Sequence, residues 1–119
     1  MAEIVIDGPR LTVRLSGWQK VEALHGDVTV PLTEVRAVSV LQDPLGAPRG
    51  LRVPGTDLPG VVKAGTWRSS HAGRQFVLAS RGERGVRVDL SGDGSFDVLL
   101  ISVPDPEATV AALRTATGL

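Results

Sequence analysis

The chain has 119 residues, 42% hydrophobic and 22% charged, with thirteen basic side chains against thirteen acidic ones and no cysteine. A chain of this length makes one domain that buries roughly two-thirds of its unfolded surface, enough for a core without staples. The lack of cysteine excludes disulfides and thiolate chemistry, and the zero net charge excludes a global pull on nucleic acid.

The opening stretch Met1–Asp7 has no basic region, and its short apolar run is cut by Asp7, so no signal peptide is expected. No run approaches the ~20 apolar residues that span a bilayer. The expectation is a cytoplasmic protein with no transmembrane segment. Strands are predicted across residues 3–41. Leu11, Val13 and Leu15 alternate with Thr12, Arg14 and Ser16, the period of a half-buried strand. Val21 and Ala23 alternate within Trp18–Leu24, His25-Gly26-Asp27 supplies a turn, and Val28, Val30 and Leu32 alternate again. Val35–Leu41 is apolar on both parities, which predicts a strand near a sheet centre. Short connections predict an antiparallel meander.

Residues 43–60 carry four prolines and four glycines in eighteen positions. Neither a helix nor a long central strand tolerates that, so a long loop is predicted, with room for a short strand at Gly50–Val53. Strands resume over 64–103. Ala64–Arg68 and Gln75–Ser80 flank a turn at Ser69–Gly73, and Arg81–Gly85 reads as a glycine-bounded hairpin loop into Val86–Leu90. A turn at Ser91–Ser95 then leads into Phe96–Val103, again as a meander. A helix follows over 105–117: Asp105 as N-cap, Pro106 in the first turn, Glu107 at the positive dipole end, and Gly118 as C-terminal cap. The predicted architecture is mainly β: two roughly orthogonal antiparallel sheets forming a partly open barrel, stoppered by one C-terminal helix.

Three strings carry a family resemblance. Val30-Pro31-Leu32-Thr33-Glu34-Val35 resembles a "VPLSEI" turn. Gly50-Leu51-Arg52-Val53-Pro54-Gly55 followed by Ala64-Gly65-Thr66-Trp67-Arg68 resembles a "GLRxPG…GTFR" loop and strand. Val103-Pro104-Asp105-Pro106-Glu107 is similar to an "sPdDPE" helix start. In this order the strings are similar to those of bacterial pleckstrin-homology-like (PH-like) domains of a small actinobacterial type. The resemblance implies a seven-stranded, partly open barrel with a C-terminal helix. It implies no activity, because fold does not confer function. The phosphoinositide binders of the wider fold cluster Lys and Arg around the first hairpin, where this chain offers only Arg14 and Lys20, separated by Gly17-Trp18, with Glu22 nearby.

Catalytic chemistry is not indicated. His25 and His71 sit in separate turns, Ser69-Ser70-His71 is a sequence neighbourhood and not a triad, and the glycine strings join strand to strand where a phosphate cradle needs a helix start. No metal, cofactor or enzyme activity is expected. Charge placement is the one asymmetry: Arg49, Arg52, Lys63, Arg68, Arg74, Arg81, Arg84 and Arg87 face only Asp57 and Glu83 in that stretch. The candidate binding residues are Arg52, Trp67, Arg68 and Arg74, on a basic face for an acidic partner. Trp67 reads either as an anchor for the loop or as a hot spot beside an arginine. The function expected is a non-enzymatic protein-binding or self-assembling module. The alternative is a binder of anionic lipid or a small anionic ligand through residues 49–87. Four aromatics and no tyrosine argue against stacking on nucleic acid.

Overall fold

The computed structural model describes residues 3–15, 26–48, 51–58, 62–70, 73–92 and 94–119. The predicted strand around Trp18–Leu24, with Trp18 and His25, lies outside them, as does His71. Nine strands and one helix are formed among the described residues: β1 (Glu3–Asp7), β2 (Arg10–Arg14), β3 (Val28–Pro31), β4 (Val35–Leu41), β5 (Leu51–Leu58), β6 (Val62–Ser69), β7 (Gly73–Ser80), β8 (Gly85–Leu90), β9 (Val98–Ser102) and α1 (Pro106–Thr117). The seven strands implied by the resemblance are thus exceeded.

The first sheet is an antiparallel meander in the order β1-β2-β3, which differs from the expected succession: β2 pairs directly with β3, and β4 joins the other sheet. Its register brings Leu11 opposite Ile6 and Val30, and Val13 opposite Ile4 and Val28, so one face is apolar throughout. The second sheet has six strands in the order β4-β8-β9-β7-β6-β5. Each sheet keeps two edges among the described residues, so the strands do not close into a barrel.

The meander predicted for the second half is corrected here. β8 does not pair with β7. Instead β9 lies between them, antiparallel to β8 and parallel to β7. Residues 81–84 therefore cross over the end of β9, a span of about 9.5 Å at two strand spacings. The Val103 N–H donates to the Arg84 carbonyl at 3.2 Å as the chain leaves beneath this crossing. Gly85 makes the approach possible, because a Cβ there would sit 2.0 Å from the Ile101 carbonyl oxygen. All five residues of β9 are buried, as a strand covered on both faces requires.

Two further expectations change. β4 is an edge strand and not a central one. Its apolar residues divide between two faces, Val35 and Val38 into the inner core and Leu41 against the outer cluster. The Arg114 guanidinium of α1 donates to the Val38 carbonyl at 3.0 Å and so occupies part of the β4 edge. The loop predicted over 43–60 also holds more structure than a short strand. Asp43 accepts from the Gly46 N–H across a 3-10 turn at Pro44–Gly46, and 51–58 form the eight-residue edge strand β5. The register shifts between Arg52 and Gly55, which places Pro54 in an irregular stretch of an edge strand, where its missing N–H costs no ladder bond.

The inner core lies between the two sheets under α1. Leu11, Val13, Phe76, Val86, Val88, Leu99, Ile101 and Leu113 are its deepest members, and Phe76 and Phe96 meet at 5.3 Å between ring centroids in a tilted pair. Burying each such side chain contributes about 1.5–3 kcal/mol. The helix forms as its signals predict: Asp105 accepts from the Ala108 N–H at 3.1 Å, Pro106 opens the first turn and Gly118 adopts the left-handed cap. Val110 and Leu113 are its buried stripe.

Candidate binding surface

The four candidate residues fall into two adjacent rows across β5, β6 and β7. One row reads Arg52, Trp67, Gln75 and the next Leu51, Arg68, Arg74. Alternation along β6 and β7 then separates them. Ala64, Phe76 and Leu78 turn toward the inner core. Arg68 and Arg74 share their parity but stand one row or more beyond them, next to the hairpin turn, and are exposed. Trp67 turns to the opposite face, where it is 4% exposed and packs in a second cluster with Val77, Ala79, Val98 and Leu100. Trp67 is an anchor in this sheet. Its indole does not share a surface with the two arginines.

Arg68 and Arg74 are direct cross-strand partners. Residues so placed have Cβ atoms about 4.5–5.5 Å apart, and like charges there repel. Among the described residues no carboxylate forms an ion pair with either of them. The backbone beneath Arg74 is firmly held: its N–H donates to Asp97 Oδ2 at 2.9 Å, and its carbonyl accepts from the Asp97 N–H at 2.8 Å. Gly73, at φ 70°, lies so close that a Cβ would come within 2.1 Å of the same carboxylate oxygen. The turn of the β8–β9 connection thus clamps the start of β7 and fixes where Arg74 emerges.

The broader basic face does not assemble. Arg84, in the crossing loop, makes a two-pronged ion pair with Glu107 in the first turn of α1. That pair raises the Arg84 pKa and lowers that of Glu107, in each case chiefly through the shared side-chain hydrogen bond. Arg87 is held by Asp89 on the outer face of β8, at 3.0 Å. Lys63 lies opposite Ala79, at the far end of the hairpin from Arg68. Arg81 lies in the crossing loop at that same far end. Arg49 is outside the described residues, and Arg52 is placed by its backbone register alone. Among the described side chains of that stretch, Arg68 and Arg74 are the two arginines set side by side.

Two clefts had no sequence signal of their own. One, of about 440 Å³, opens on the outer face of the second sheet, floored by Gln75, Val98 and Leu100 and walled by Arg87 and the turn at Asp43–Ala47. Gln75, at 1% exposure, is a buried polar residue set between Trp67 of β6 and Val98 of β9. The other, of about 310 Å³, lies between β3 and the turn at Gly94–Phe96, beside Asp27 and Glu34. Asp27 accepts from the Leu15 N–H at 2.9 Å and ties β2 to the start of β3. Among the described residues no three His, Asp or Glu side chains converge as metal ligands. No described helix is long and apolar enough to cross a membrane. No family model, curated protein or solved structure matches the chain.

Proposed function

We propose that this chain is a non-enzymatic binding module, PH-like in general plan, that docks an acidic segment of a partner protein on Arg68 and Arg74. The plan is supported by two sheets sharing one core with a C-terminal helix against it. The observation that carries the binding reading is the direct cross-strand opposition of two exposed arginines on a clamped hairpin. Such a pair weakens the isolated domain, and an acidic ligand bridging it relieves the repulsion. A non-enzymatic role is supported by the uses of the aspartates: Asp27, Asp97 and Asp105 each accept a backbone N–H.

An anionic lipid headgroup is the second reading, because two guanidinium groups suit phosphate equally well. A protein partner is favoured by the surroundings. Stable membrane docking adds apolar side chains that insert, and the neighbouring Trp67 is buried on the other face. Self-association through this surface would set arginine against arginine.

The test is fluorescence anisotropy with an acidic Glu/Asp-rich peptide, alongside flotation with phosphatidylserine vesicles. Peptide binding that is weakened by salt and abolished by Arg68→Glu with Arg74→Glu is the expected result. Flotation lost in the same double variant, with no peptide binding, would move the assignment to lipid. Indifference of both probes to the double variant would remove the surface from consideration.

A further inference from the structure

β1 carries a second surface of opposite sign. Of the four strand edges left among the described residues, three are blunted. β5 is irregular around Pro54, β4 gives its Val38 carbonyl to Arg114, and β3 has four residues and ends at Pro31. Natural sheets use such devices to prevent stray pairing. β1 is five residues long and regular in its register with β2, and its exposed end charges, Glu3 and Asp7, leave its backbone edge uninterrupted.

Its outward edge borders a groove of about 250 Å³ whose other wall is Pro104, Ala108 and Thr109 at the start of α1. Ile4, half-buried, lines the groove on the strand side. Ile6, on the same face two residues on, is 37% exposed, and the only other large apolar side chain exposed among the described residues is Leu119. Glu3 and Asp7 stand at the two ends of the strand on the other face, both exposed, and Asp105 adds a third acid beside the groove.

The register with β2 shows what kind of strand β1 accepts. Glu3 lies opposite Arg14 and Asp7 opposite Arg10, while Ile4 and Ile6 lie opposite Val13 and Leu11. The accepted pattern is basic, apolar, any, apolar, basic. A strand added antiparallel to the other edge of β1 meets the same five side chains in the same order. We infer that the outer edge of β1 is a strand-addition site for an extended segment of a partner protein with Lys or Arg at positions one and five and apolar residues at two and four. Backbone hydrogen bonds supply affinity in this mode, and the alternating side chains supply selection. A second copy of β1 is disfavoured, because an antiparallel pair centred on Val5 sets Glu3 against Asp7 at both ends.

The experiment uses the full chain and a fluorescein-labelled peptide bearing residues 10–14, Arg-Leu-Thr-Val-Arg, between glycine-serine flanks. Its control is the same peptide with Arg10→Glu and Arg14→Glu. The basic peptide should bind about tenfold or more tightly than the acidic one, as two reversed cross-strand charge pairs imply. It should also slow hydrogen exchange of β1 amides and leave β5 amides unchanged. Glu3→Lys with Asp7→Lys should reverse the preference, and if that variant does not fold, the two peptides on the native chain decide alone. Equal binding of both peptides, binding of neither, or protection outside β1 would overturn the inference, leaving Glu3 and Asp7 as guards against edge pairing.

Discussion

In the β1–β2 hairpin each outward charge meets its opposite across the ladder, Glu3 with Arg14 and Asp7 with Arg10, whereas in the β6–β7 hairpin Arg68 meets Arg74. Both hairpins turn one apolar face to the same core, through Leu11 and Val13 in one and Phe76 and Leu78 in the other. The difference lies wholly in the exposed positions. Where charges are matched they reinforce register, since a one-residue slip would break both matches and turn the apolar face outward. Where they are mismatched the register rests on the core and on the Asp97 clamp at Arg74.

The comparison breaks most visibly if the shared core is opened. Phe76→Ala should cost about 3–5 kcal/mol and Leu11→Ala about 2–5 kcal/mol, with tryptophan fluorescence and circular dichroism giving one coincident urea transition in each case. Separate transitions would mean that the hairpins belong to independent units. Charge exchange sharpens the comparison at smaller scale. Asp7→Lys should destabilise by about 0.2–1 kcal/mol and Arg74→Glu should stabilise by a similar amount, since one creates like-charge opposition and the other removes it. Equal signs in the two urea midpoints would show that register pairing does not govern these side chains.

The smallest effect concerns the Arg84–Glu107 pair, which belongs to neither hairpin and serves as the reference for an exposed but matched contact. The Glu107 pKa is lowered in the folded state by its bond to Arg84. Its contribution is therefore complete above the ordinary value of 4.5 and is lost as pH falls through the lower folded value. Glu107→Gln should leave a shallower acid limb in the urea midpoint plotted against pH, and an unchanged limb would show the pair to be energetically silent.

Much of the fold was legible in short-range signals. Asp105-Pro106-Glu107 and Gly118 delimit the helix because capping is local chemistry, and the period of Leu11, Val13, Val28 and Val30 marks the first sheet for the same reason. The strand order of the second sheet was not legible as a meander. Short glycine-rich connections look alike whether the next strand pairs with its predecessor or passes beyond it. The available sign was the unbroken apolar run Val98-Leu99-Leu100-Ile101, since a strand without alternation is covered on both faces. Arg68 and Arg74 were legible as candidates by charge, and their opposition follows from the turn between them. The burial of Trp67 on the reverse face depends on parity relative to a core that only the whole sheet defines.

The insertion of β9 has a consequence for the order of events during synthesis. Among the described residues this strand alone joins the β4–β8 ribbon to the β7–β6–β5 ribbon, and it follows every other strand of that sheet in the chain. A nascent chain can shape either ribbon as it leaves the ribosome, but the wide sheet waits for residues 98–102 to slide in between them. Joining the two ribbons is therefore the last step in forming this sheet, with β9 as its keystone.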